Sequence, residues 1–168
     1  MTLTRIGILA LSLTLASAHG ANAAPPIKPE LQAAIAVAKL YDPAAVITED
    51  TNRAIITVKM PSGRTQRVFF DGEVAGPIDA KNRLIYSVAA SVSDPINPAL
   101  ALRLLQQNYI GLPYGSWSIG KLPSGALSIV YSVEVPANAR ASTIRAVVAT
   151  VAARADTLEL ELTSKDQR

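Results

Sequence analysis

The side chains best equipped for covalent chemistry are nearly absent from this chain. It has no cysteine, and its single histidine, His19, falls in an apolar N-terminal stretch. Ser–His and Cys–His nucleophile pairs, thiolate chemistry, disulfides and the usual transition-metal ligands are therefore removed from consideration. Carboxylates are left for acid–base work. Asp71, Glu73 and Asp79 form the densest acidic group, but they lack the regular ligand ladder of a calcium loop, and Asp71-Gly72 is an ordinary turn pair. Asp94 and Glu134 could pair as acid and base only if the fold brought them together. Read locally, the first is a turn aspartate before Pro95 and the second a solvent-facing strand residue. No phosphate-cradling glycine loop or nucleophile elbow is present. No catalytic residue, metal ligand or cofactor is assigned.

Non-covalent chemistry has better candidates. Arg53, Lys59, Arg64 and Arg67 place four cations on one hairpin with no acid among them. Anionic lipid, a cell-wall polymer or nucleic acid could use such a patch. The reading preferred is a charged hairpin that discourages edge-to-edge strand pairing, because no aromatics interleave with the cations. Tyr109, Tyr114 and Trp117 gather around a helix-to-strand loop, and aromatics on loops are frequent anchors of binding sites. The strand phase of Trp117 is equally compatible with the core.

The elements that must position these residues are legible from period and punctuation. Pro29 opens a first helix with Leu31, Ala34, Ile35 and Ala38 on one face, and Asp42-Pro43 ends it. A weak strand is expected around Ala45 to Thr48. Arg53 to Met60 alternates, with Ala54, Ile56, Val58 and Met60 on one face; Pro61-Ser62-Gly63 turns the chain, and Arg64 to Phe70 returns. Asp71 to Lys81 reads as a turn-rich connection. In the next strand Leu84, Tyr86, Val88, Ala90 and Val92 alternate against Ser87, Ser91 and Ser93, which predicts one apolar and one wet face.

Asp94 to Val135 organises the rest. Asn97 is a good N-cap and Pro98 suits the first helical position, while Gly111 and Pro113 stop the helix. Trp117 and Ile119 alternate with small residues, Pro123-Ser124-Gly125 turns, and Leu127 to Val135 alternates back. On this middle helix Leu100, Ala101, Leu102, Leu104, Leu105 and Tyr109 sweep about 200° at the helical repeat, whereas packing on one sheet needs only ~100°. The surplus must cover another part of the domain or a second copy of the chain, and the second copy is preferred. A last helix, from about Ala139 to Leu162, carries Ile144, Val147, Val148, Val151, Ala155, Leu158 and Leu162 in one stripe, with Asp156 outside it. The tail from Thr163 to Arg168 is polar and expected to fray.

The N-terminus sets the compartment. Thr2 to Arg5 give a short basic start, Ile6 to Leu15 an apolar run too short for a stable membrane span, and small residues follow. Residues 1–23 are read as a cleavable secretory signal, with Ala21-Asn22-Ala23 favoured over Ala16-Ser17-Ala18 as the cut. That leaves 24–168 as a single domain, periplasmic or secreted, with no membrane segment and no cysteine for lipid attachment. The net charge of +3 over 168 residues gives no argument for nucleic acid as a partner. The expected fold is α+β: an antiparallel sheet of about five strands with helices, in the order α-β-β-β-α-β-β-α.

The run Leu104-Leu105-Gln106-Gln107-Asn108, then Gly115 to Ile119, the Gly125-Ala126-Leu127 hairpin and the long terminal helix resemble the type III secretion chaperone-like fold. More closely, they resemble the YbjN family of bacterial sensory transduction regulators. The resemblance to the secretion chaperones implies a homodimer that holds extended client segments and has no catalytic site, while the YbjN family has no settled biochemistry. The export signal and the absence of an acidic balance depart from the cytoplasmic secretion chaperones. The expectation is thus an exported, non-enzymatic, protein-binding or chaperone-like protein. Leu102, Leu105, Tyr109, Tyr114 and Trp117 are its candidate dimer or partner surface. The alternatives are a carrier of a small apolar ligand or lipid, and a carboxylate-dependent cell-wall hydrolase.

Overall fold

Proline at the first helical position and aspartate before proline bound the first element as expected: α1 runs Pro29–Tyr41, and Asp42 leaves the helix with an extended backbone. A computed structural model gives the fold and describes residues 28–50, 53–75, 81–92, 96–110, 114–121 and 125–165. The proposed signal segment, the turns at Pro123-Ser124 and around Pro113, and Asp94 lie outside the described residues. After α1 come β1 (Thr48–Asp50), β2 (Arg53–Lys59), β3 (Thr65–Ala75), β4 (Asn82–Val92), α2 (Pro98–Ile110), β5 (Ser116–Lys121), β6 (Leu127–Pro136) and α3 (Ala141–Lys165). This is the expected α+β class, in the order α-β-β-β-α-β-β-α with the short β1 added. No described helix is long and apolar enough to cross a membrane.

Among the described residues all strand pairings are antiparallel, and they form a six-stranded sheet in the order β1-β2-β3-β4-β6-β5. The β5–β6 hairpin therefore folds back so that β6, not β5, lies against β4, and α2 bridges the resulting jump to the edge. One apolar core unites the three described helices with a single face of the sheet. Ala54, Ile56 and Val58 of β2, Val68 and Phe70 of β3, Ile85 of β4, and Ile129, Tyr131 and Val133 of β6 meet Ala34 and Ala38 of α1 and Ile144, Val148, Val151 and Ala155 of α3. The alanines let the helices approach the sheet closely, and the branched residues fill the space between.

Two sequence expectations are corrected. Asp71 to Ala75 belongs to β3, not to a turn-rich connection; a register shift between Phe70 and Val74 bends the strand while keeping it paired with β4. The second concerns the phase of β4. Its helix-covered face carries Arg83, Ile85, Ser87 and Ala89, all buried, while Leu84, Tyr86 and Val88 on the other face are half-buried. Ser87 is tolerated in the core because its one hydroxyl proton is shared between the Arg67 carbonyl at 2.8 Å and Gln66 Oε1 at 3.1 Å. The Arg83 guanidinium reaches the Asp71 and Gly72 carbonyls at the bulge, at 2.5 and 3.1 Å. Its burial pushes its pKa below the usual arginine value. Hydrogen-bonded polar groups took the inner phase, and the cleaner apolar alternation went outward. The wild-type sequence thus makes opposite demands at neighbouring positions. Ile85→Ala should cost about 2–4 kcal/mol through a core cavity, and Leu84→Ala less than about 1.5 kcal/mol because its side chain is only partly covered. Urea unfolding of the two variants checks the order.

Candidate functional site

The helix-to-strand junction between α2 and β5 is where most of the candidate residues meet. Asn97 Oδ1 accepts from the Ala99 N–H at 2.8 Å, capping α2 as its sequence predicts. Leu104 is then buried in the core, with Leu100 and Ile96 packed against it. Arg103 donates to Glu161 of α3 at 2.6 Å, which ties the helix down on its flank. The wide apolar arc is thereby divided. One part is intradomain core. The other, Leu102, Leu105 and Tyr109, is 57%, 63% and 91% exposed, and its spacing of three and four residues sets these side chains in a single row.

Trp117 does not belong to that surface. It is buried in the core, edge-on to Tyr131 with ring centroids 5.0 Å apart, and its indole N–H donates to Gln107 Oε1 at 2.9 Å. The Asn108 side chain then meets the Trp117 backbone twice: its Oδ1 accepts from the Trp117 N–H at 2.6 Å and its Nδ2 donates to the Trp117 carbonyl at 2.9 Å. An amide placed in this way occupies the position of a neighbouring strand, so α2 closes part of the β5 edge. Gln107 and Asn108 belong to the run that carries the family resemblance but were not among the candidate site residues. Their signal was an amide pair in the last turn of a helix, directly before a break and a strand.

Tyr114 stands apart from the α2 row. It is exposed, and it rims two depressions at the end of the sheet. One, of about 400 Å³, is shared with Leu84, Ser116, Ser132 and Glu134. The other, of about 420 Å³, runs along α3 with Val133, Ser142, Thr143, Ala146, Val147 and Thr150. Its backbone is fixed from below, where the Tyr131 hydroxyl donates to the Tyr114 carbonyl. Gly115 follows at φ +87°, and a Cβ there would press on the Ser132 carbonyl and lie 2.7 Å from Val133 Cγ2. Only glycine fits.

The cationic hairpin is also divided by the fold. Arg64 turns toward α3, where it donates to Asp156 at 2.7 Å and pairs with Glu159 at 2.9 Å. The Asp156 bond is the main reason that its pKa is raised. Gln66 Nε2 joins the cluster, donating to Glu159 at 2.5 Å. Asp156, placed outside the apolar stripe by sequence, is in fact buried beneath this clip. Arg53 and Arg67 instead flank Phe69 on the opposite sheet face, and Tyr86 stacks on that ring. Aromatics do interleave with these two cations, contrary to the sequence reading. The signal was apolar residues in both phases of adjacent strands, Phe69-Phe70 and Leu84-Ile85, which means that both faces are used. Asp94, Glu73 and Asp79 fall where no side chain is described, while Glu134 accepts from Asn82 at 3.4 Å. No family model and no curated protein matches the chain.

Two outcomes follow for this junction. Asn108→Ala removes two hydrogen bonds, at about 1–2 kcal/mol in total, and opens the β5 edge; a lower Tm together with faster turbidity on heating is the expected pair of readouts. Burial raises the Tyr131 pKa above its usual value. The folded state therefore holds this proton more tightly than the unfolded chain, so the contribution is complete below about pH 10 and is lost as pH climbs past it. Tyr131→Phe should lose about 1 kcal/mol at neutral pH, yet show a shallower alkaline decline in denaturant unfolding.

Proposed function

We propose that this chain is an exported, non-catalytic protein-binding domain that self-associates through α2. The supporting observation is the row Leu102, Leu105 and Tyr109, largely exposed on a helix whose other side is packed into the core. The Leu104 contact, the Arg103–Glu161 bridge and the Asn108 amide hold the helix against the body. The row is therefore presented with little conformational freedom left to lose on association. A rigid, contiguous apolar row of this kind marks an interface more often than a solvated surface. Each leucine fully covered adds on the order of 1.5–3 kcal/mol, and a two-fold axis doubles every such contact.

The reading agrees with what the resemblance to the secretion chaperone-like fold implies, a homodimer serving a protein client, and with the regulatory role that the YbjN resemblance implies. A dimer joined at α2 leaves the sheet surface of each copy free for that client. Light scattering and sedimentation of the chain from residue 24 onward supply the test. A dimer is expected, reduced to a monomer by Leu105→Glu or Leu102→Glu with little change in Tm, since both positions are exposed. A wild-type monomer at high micromolar concentration, unaltered by either substitution, defeats the proposal.

A further inference from the structure

Three helices lie on one face of the sheet, and among the described residues no element lies on the other. Register sets Ile55, Phe69, Tyr86, Ser132 and Ser116 in one row across that open face. One pleat further, Thr57 pairs with Arg67 and Val88 with Val130. Phe69 and Tyr86 stack with centroids 5.0 Å apart and rings 8° from parallel. The guanidinium carbons of Arg53 and Arg67 sit 5.8 and 5.3 Å from the Phe69 centroid, and Arg53 donates to the Tyr86 hydroxyl at 2.7 Å. Arg67 and Lys59 are exposed, and neither has an ion-pair partner among the described residues.

We propose that this face docks an acidic, apolar-bearing segment of a partner protein, with its carboxylates on Arg67 and Lys59 and its apolar side chains on Val88, Val130 and Tyr86. A guanidinium held over a ring keeps its in-plane donors for other acceptors, and carboxylate matches their fork. Half-buried valines and an aromatic pair beside it supply the apolar area that charge alone lacks. The face measures roughly 25 by 20 Å at ordinary strand spacing, of the same order as the ~800 Å² that each partner gives to a standard interface. Other ligands fit less well. Two unpaired cations attract an anionic bilayer by only about 1 kcal/mol each. A sugar ring needs a free aromatic face, and those of Phe69 are shared by Tyr86 and the guanidiniums.

The inference rests on the reading of a protein-binding domain but uses a surface separate from α2, and the experiment keeps the two apart. A short labelled peptide rich in Glu and Leu, its counterpart with Lys for every Glu, and phosphatidylglycerol vesicles are titrated at low salt. The proteins are wild type, the Lys59→Glu/Arg67→Glu double variant, and Leu105→Glu. The wild type should bind the acidic peptide about ten-fold or more tighter than the basic one, with affinity falling as salt rises. The double variant should reverse that preference, which an unfolded protein could not do, and Leu105→Glu should bind as wild type does whether or not it is monomeric. Failure to bind the acidic peptide, equal binding of both peptides, loss confined to Leu105→Glu, or a preference for the vesicles each overturns the proposal. So does a change of oligomeric mass in the double variant, which would make the face a self-association surface.

Discussion

A sheet has two faces, and among the described residues one layer of helices covers only one of them. α1 lies over β2 and β3 and α3 over β3, β4 and β6, so the core is a single interface between helices and one set of strand residues. Everything else about the surface follows from that constraint. Side chains in the inner phase of each strand must be apolar or find hydrogen-bond partners, and those in the outer phase are left half-covered by their own neighbours. Ser87 and Arg83 meet the first condition through the Gln66 side chain and the carbonyls of β3. Phe69 and Tyr86 meet the second by stacking on each other beneath two guanidiniums.

The edges of the sheet raise a related problem, and the two are treated differently. At one side the short β1 ends the sheet after three residues, too brief to template another chain. At the other, β5 is longer, and the Asn108 side chain covers the backbone N–H and carbonyl of Trp117. The same helix that shields this edge carries the exposed Leu102, Leu105 and Tyr109 row. Protection of the edge and presentation of an apolar surface are thus two results of one packing arrangement. Loosening α2 would disturb both at once.

Polar contacts between distant parts of the chain fix the orientation of the layers. The clip from Arg64 to Asp156 and Glu159 joins the β2–β3 turn to α3 across more than ninety residues of sequence, as does the Gln66–Glu159 bond. Arg103–Glu161 does the same for α2. Partly exposed ion pairs contribute little energy individually, but each is compatible with only one rotation of its helix. Hydrophobic burial supplies the stability here, and these bonds select among packings that would bury similar area.

The sequence by itself determined the local elements. Pro29, Asp42-Pro43, Asn97-Pro98 and the turn glycines bound the segments, because backbone restrictions act within a few residues and need no partner. The period-two pattern of β2, β5 and β6 also identified their inner faces, since apart from Ile55 and Val130 the other phase there is polar or small. The same pattern misread β4, where both phases hold apolar residues and the choice depends on which neighbour supplies hydrogen bonds to Ser87 and Arg83. Trp117 and Tyr109, similar as candidates by type and neighbourhood, were separated only when β5 and α2 packed together, one turned into the core and the other out. The division of the four cations was likewise tertiary: Arg64 and Arg67 are three residues apart, yet one closes a bridge to α3 and the other lies over Phe69 on the far side of the sheet. Charge and hydropathy specify what a side chain needs. Only the assembled strands and helices decide which partner is close enough to supply it.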